Sequence, residues 1–180
     1  MLSLRPSLML LAAALLAGCS DPDSHFGSSH MFDGRISLHN GQVTLSANNA
    51  ADAVIDQTGR LSIDGKTVPT DTAQQALLLQ YYQAVAAVRE HGIATGKAGA
   101  AMAGEAIKGV AQSVASGDSA AIERRVDSQS KQIEQAAAKI CEDVTVIKQA
   151  QDGLAAQLPA FRPYADIAGR DAAQDCRKHD

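Results

Sequence analysis

Arg35-Ile36-Ser37-Leu38-His39-Asn40-Gly41-Gln42-Val43-Thr44-Leu45 is the stretch that decides the fold. Ile36, Leu38, Val43 and Leu45 alternate with polar neighbours, so a strand pair places all four on one face. Asn40-Gly41 supplies the two left-handed residues that a tight hairpin turn requires. The same pattern recurs downstream. After the polar patch 46–52 come short strand-like stretches at residues 53–55, 61–63 and 66–68, separated by turns at Gln57-Thr58-Gly59 and Asp64-Gly65. Five short strands spanning residues 35–69 therefore predict an antiparallel β-meander with one apolar face. Such a sheet is not stable uncovered, so it needs a helical layer against that face.

The chain supplies helices next. Pro69 ends the last strand, and Asp71 followed three residues later by Gln74 has the form of a capping box. Leu78, Tyr81, Val85 and Val88 then recur at helical spacing, which predicts a helix from about Thr72. Tyr81 and Tyr82 sit on this amphipathic helix, where aromatic residues serve as core more often than as a ligand platform.

Gly92, Gly96, Ala100 and Gly104 fall four apart within an alanine-rich segment, with Gly99 and Gly109 nearby. Five helical glycines cost about 5 kcal/mol relative to alanine, so close packing or another contact must offset them. Lys97, Glu105 and Lys108 rule out a bilayer span here. The stripe fits three roles: close packing against the next helix, self-association, or a labile segment lying on lipid. We take the first, a helix-packing face.

Gly117 interrupts the pattern, and Asp118 or Ser119 can cap a second helix. From Ile122 through Val126, Gln129, Ile133, Ala136, Ile140, Val144, Ile147, Gln151 and Leu154 to Leu158, positions recur in steps of four and three. One step between Ile140 and Val144 breaks the alternation as a stutter does. Asp127 with Lys131, and Lys139 with Asp143, form pairs one turn apart. One long helix ending before Pro159 is predicted to pack antiparallel on the preceding one. Glutamines along its seam suit a helical hairpin or an oligomer, and coiled-coil periodicity does not choose between them. Phe161, Pro163 and Tyr164 turn the chain, and a short tail helix carries Cys176 towards Cys141. The fold class is α+β, with the meander and the helical region 70–180 forming one domain.

The N-terminal region specifies location. Arg5 precedes ten consecutive apolar residues, 8–17, about half of what a bilayer-spanning helix needs. That length suits the core of a signal peptide, residues 1–18. Leu16-Ala17-Gly18-Cys19 matches the bacterial lipoprotein box, so Cys19 is the expected lipidation site. The protein is then lipid-anchored to the cell envelope, facing the periplasm. Ser20 directly after the cysteine, with Asp21 one place later, favours the outer membrane over the inner. Residues 19–34 are polar and rich in turns, which predicts a flexible tether. His25 and His30 on it stand five apart, a spacing that does not suit shared metal ligation.

Setting Cys19 aside leaves Cys141 and Cys176, an even pair in a compartment where disulfides persist. We expect them to be bonded, which would stabilise the fold by about 3–4 kcal/mol on the chain-entropy account. Composition bounds the rest. The 46% apolar content is mostly alanine and aliphatic residues, with 3% aromatics and no Trp. Loss of residues 1–18 removes Arg5 and leaves 15 basic against 20 acidic residues, a net charge of −5. Nothing in that balance attracts phosphate, so no nucleic-acid partner is expected.

The residues Ile55, Gly59-Arg60-Leu61, Ile63-Asp64-Gly65-Lys66, Gln74 and Tyr82, with the later Ile140-Cys141, Val144, Gln151, Leu154 and Leu158, resemble the YggN-like family of Gram-negative envelope proteins. The resemblance implies an exported strand-then-helix protein of unknown function and carries no catalytic residues. The lipoprotein box is a departure, since family members can carry ordinary signals.

No glycine-rich phosphate loop, paired-histidine zinc motif or nucleophile elbow is present, so no catalytic, cofactor-binding or metal residues are assigned. His39 and His91 have no evident local partner, and Asp56 and Asp64 flank turns, where capping backbone amides is the ordinary role. The reading that follows is a non-catalytic envelope lipoprotein that binds a protein partner or itself. The alternative is a periplasmic small-ligand carrier or hydrolase using a pocket between meander and helices. That alternative expects His39 or His91 beside Asp56 or Asp64.

Overall fold

A computed structural model describes residues 28–116, 119–169, 171–172 and 176. The signal peptide, Cys19, His25, the tether to residue 27 and the helix break at 117–118 lie outside the described residues. Six strands form one antiparallel sheet in sequence order: β1 (Ser28–Met31), β2 (Ile36–His39), β3 (Gln42–Leu45), β4 (Ala53–Asp56), β5 (Leu61–Ile63) and β6 (Lys66–Thr67). Two long helices follow, α1 (Thr72–Ser116) and α2 (Ser119–Gln157), then a 3-10 helix over Pro159–Tyr164. The α+β class and the strand-then-helix order are as expected. Of the tail helix, residues 172 and 176 are helical and those between them lie outside the described residues.

One strand corrects the sequence reading. Residues 28–31, assigned to the tether, are β1, paired with β2 so that Ser29 faces Leu38 and Met31 faces Ile36. Met31 alone carries the apolar pattern on this edge strand, which is why alternation did not reveal it. The turn back to β2 uses positive φ at Phe32, Asp33 and Gly34.

The alternation in the opening stretch does what it predicts. Ile36, Leu38, Val43, Leu45, Ala53, Ile55 and Leu61 are buried on one sheet face, while Ser37, Thr44, Val54 and Ser62 occupy the other. Asn40 and Gly41 close the β2–β3 turn at φ 48° and 72°. Gly59 meets two constraints at once: its φ is +75°, and an added Cβ would lie 2.9 Å from the Gln75 carbonyl.

The capping box forms in both directions. Gln74 N–H donates to Asp71 Oδ1 at 2.8 Å, and Asp71 N–H donates to Gln74 Oε1 at 3.1 Å. Leu78, Tyr81 and Val85 of α1, with Ile147, Ala150 and Leu154 of α2, cover the sheet's apolar face. Phe161 and Tyr164 close the core, Phe161 meeting Tyr81 edge-on with ring centroids 6.1 Å apart. Tyr81 is therefore core, and burial pushes its phenol well above the ordinary range. Gln151, a seam glutamine, is fully buried and holds the chain beyond the 3-10 helix. Its amide donates to the Ala168 carbonyl at 3.0 Å, and its oxygen accepts from Ala168 N–H at 2.9 Å. Cys141 and Cys176 are disulfide-bonded, with Cα atoms 5.5 Å apart.

Candidate functional site: the helical arm

At about 1.5 Å per residue the 45 residues of α1 span about 67 Å. Six strands spaced about 4.8 Å apart cover less than half of that. Both helices therefore run past the β1 edge of the sheet as a two-helix arm. Within the sheet-covered body the helices bury large side chains. From residue 86 to residue 140 no described residue is buried.

The glycine stripe lies on this arm, and its position corrects the packing assignment. Gly92, Gly96, Ala100 and Gly104 are all exposed, and a Cβ added at Gly92, Gly96 or Gly104 meets nothing within 4 Å. The side of α1 that faces α2 carries His91, Thr95 and Ala98 instead. A four-residue step overshoots a full turn by about 40°, so the stripe winds slowly round α1, away from α2. An open groove of about 700 Å³ runs between the helices here, lined by Ala98, Met102 and Glu105 on α1 and by Arg124, Gln129 and Gln132 on α2.

A polar clasp marks the base of the arm. His91 Nδ1 lies 2.7 Å from Asp143 Oδ2, with the side chains 35% and 18% exposed, so the pair is only partly shielded from water. Thr95 Oγ1 donates to the His91 carbonyl at 2.7 Å one turn further along. Sequence reasoning missed this partner because the two residues are 52 apart and meet only once the hairpin register is fixed. The seam residue Ile133 is 47% exposed, whereas Ile147, further along the same seam, is fully buried.

Two further grooves open between sheet and α1. One of about 490 Å³ runs from Met31 of β1 along Val88, Gly92, Ile93 and Gly96. The other, about 570 Å³, is lined by Leu38, Asn40, Tyr82, Arg89, Glu90 and Ile93. The histidine–aspartate cluster that a carrier or hydrolase would use does not form from His91 and Asp56. His91 is held by Asp143, and Asp56 accepts hydrogen bonds from Thr58 N–H at 2.8 Å, Thr58 Oγ1 at 2.6 Å, Arg60 N–H at 3.1 Å and Arg60 Nε at 2.9 Å. Desolvation pushes the Asp56 carboxyl up, but those four hydrogen bonds outweigh it and bring it down to about 2. That is the turn-capping role expected of it. Among the described residues no three His, Cys, Asp or Glu side chains come together in a way that holds a metal ion, and no helix is long and apolar enough to cross a membrane.

The family profile described as "Protein of unknown function (DUF2884)" matches residues 31–121, from the end of β1 through the sheet and α1 into the first turn of α2. The chain belongs to the DUF2884 family. Comparison with curated proteins and with solved structures finds no match. The DUF2884 match covers the sheet from the end of β1 and the glycine-bearing helix α1 of the arm.

Proposed function

We propose that this DUF2884 protein is a non-catalytic lipoprotein of the cell envelope, of the YggN-like kind, whose arm is a contact surface for a protein. One observation carries the reading: the 55-residue stretch from 86 to 140 has no buried described residue, although it holds Ile93, Met102, Ile133 and Ile140. Two helices without a third layer leave such residues only partly covered, Ile133 being 47% exposed, and contact with another protein covers them. The exposed glycines support the same reading, because small side chains allow a partner's backbone to approach closely. Lipidation at Cys19 and retention at the outer membrane rest on the sequence motif.

Two experiments test the reading. Labelling with a fatty-acid analogue and cell fractionation should place the processed chain in the membrane fraction, and Cys19→Ala should abolish the label; unprocessed, unlabelled chain in the cytoplasm overturns the anchor. Gly96→Leu should alter crosslinked species from intact envelopes without unfolding the body. Unchanged crosslinking together with unchanged thermal stability contradicts the contact surface.

The second reading, a small-ligand carrier, draws on the groove beside Tyr82, where an apolar floor of Leu38, Ala86 and Ile93 meets the Arg89 guanidinium and the Glu90 carboxylate. That combination suits a small amphipathic ligand. Displacement of a fluorescent fatty acid from the wild type but not from a Tyr82→Trp variant would favour it, and absence of any binding would remove it.

A further inference from the structure

Among the described residues the sheet ends at β1, whereas α1 continues beyond it. The backbone of β1 faces that open side. Ser46 N–H donates to the Arg35 carbonyl at 2.9 Å, so alternate residues Arg35, Ser37 and His39 turn their backbone groups towards β3. Ile36 and Leu38 then serve β1, where their partners are Met31 and Ser29. The N–H and C=O groups of Ser28 and His30 therefore point out of the sheet, a template for one more strand.

α1 has already crossed the sheet strand by strand. Gln75 and Leu79 lie against the β4–β5 turn at Gly59, Tyr82 lies near the β2–β3 turn at Gly41, and Val88 and Gly92 lie beside Met31 of β1. Strands are spaced about 4.8 Å apart, which is about three residues of helix rise. A strand added to β1 thus runs beneath Gly96, where a Cβ would meet nothing within 4 Å. The groove of about 490 Å³ lies at that place, lined by Met31, Val88 and Ile93 and by the cations Arg89 and Lys97, with no carboxylate among its described lining residues. Both cations stand on one flank of the glycine stripe, about 60° and 140° round α1 from Gly92. Glu90, on the same flank, lines the neighbouring groove beside Asn40.

We infer that this edge takes an extended segment of another protein as a seventh strand, apolar at alternate positions and acidic where it leaves the groove beside Arg89 and Lys97. The inference rests on the contact-surface reading above and names the partner's chemistry. Outward main-chain groups at Ser28 and His30 call for an extended backbone. The strand's period of two turns every second side chain up towards Gly92 and Gly96, where the missing Cβ atoms leave room for branched apolar groups. The two cations select carboxylates at that end.

Amide hydrogen exchange on the mature chain tests this with a defined probe, an acetylated peptide of alternating valine and serine with aspartates at both ends. It should bind saturably and slow exchange at Ser28 and His30, while Ser29 and Met31, already paired with β2, change little. The same peptide with lysines at its ends should bind about tenfold more weakly, and Lys97→Glu should reverse that preference. His30→Pro removes one outward N–H at a position where an edge strand tolerates proline, and should abolish binding with the sheet intact. No binding, or binding that His30→Pro leaves unchanged, overturns the inference. In intact envelopes, p-benzoylphenylalanine in place of Gly96 should crosslink to a segment of another protein with this alternating pattern. An adduct with a segment lacking the pattern, with a second copy, with residues 19–27 of the same chain or with lipid overturns the proposed occupant. A protein adduct from the same probe at Ile133, with none at Gly96, overturns the seventh strand and leaves the contact surface standing; none at either position overturns both.

Discussion

The two halves of one helical hairpin behave differently although their periodicity is the same. Over the sheet, α1 presents Leu78, Tyr81 and Val85, and α2 presents Ile147 and Leu154, all fully buried. From the β1 edge outward the same stripes carry Gly92 and Gly96 on one helix and Ile133 on the other, all exposed. The first half is held by what lies beneath it. Beneath the second half the described residues provide only the β1 edge, where Met31 shares a groove with Gly92 and Gly96. Helical periodicity marks the face that seeks cover; it does not say whether the same chain provides that cover.

The largest expected effect lies in the body. Phe161→Ala removes a fully buried ring that closes the core against Tyr81 and should cost about 3–5 kcal/mol in urea unfolding. Ile133→Ala, on the arm, should change the unfolding of the monomer by less than about 0.5 kcal/mol. Similar losses at both sites would erase the distinction between the halves. Replacing both Cys141 and Cys176 with Ser should lower stability by about 3–4 kcal/mol, because the bond ties the tail to α2 where the body meets the arm.

Glycines sharpen the comparison further. Gly59→Ala should destabilise by about 1–3 kcal/mol, since its φ of +75° is unfavourable for alanine and the new methyl meets the Gln75 carbonyl. Gly96→Ala, in open helix, should stabilise by about 1 kcal/mol through reduced backbone freedom in the unfolded chain. A loss at Gly96 in the monomer would mean that the arm is covered after all. The smallest effect is electrostatic. Asp56 is held down to about 2 in the folded protein against 3.8 for the free group, so its contribution is complete above about pH 5 and disappears as pH falls through 2. Asp56→Asn should therefore be less stable than the wild type by about 1 kcal/mol at pH 7, with the gap closing on acidification.

What was legible in the sequence was local or compositional. The β2–β3 hairpin followed from two turn residues and four alternating side chains, the start of α1 from Asp71 and Gln74, and the end of α2 from Pro159. The cysteine pair followed from counting. What escaped depends on contacts between distant segments. β1 is polar because it is an edge strand, and only its pairing with β2 reveals it. His91 finds Asp143 only after the hairpin closes, and the Arg35 guanidinium finds the carbonyls of Asp166 and Ile167 across 131 and 132 residues. The orientation of the glycine stripe was misassigned for a related reason: small residues four apart signal a place where something can come close, and that need not be the next helix.

Hydrogen exchange on the mature chain, diluted until it is monomeric, measures the difference between the halves most directly. Amides of α1 beyond residue 92 and of α2 before residue 140 should exchange far sooner than those of residues 78–88 and 144–157, because they open without disturbing the core. Equal protection along both helices would contradict the account, since it would mean that a single chain already covers its own arm.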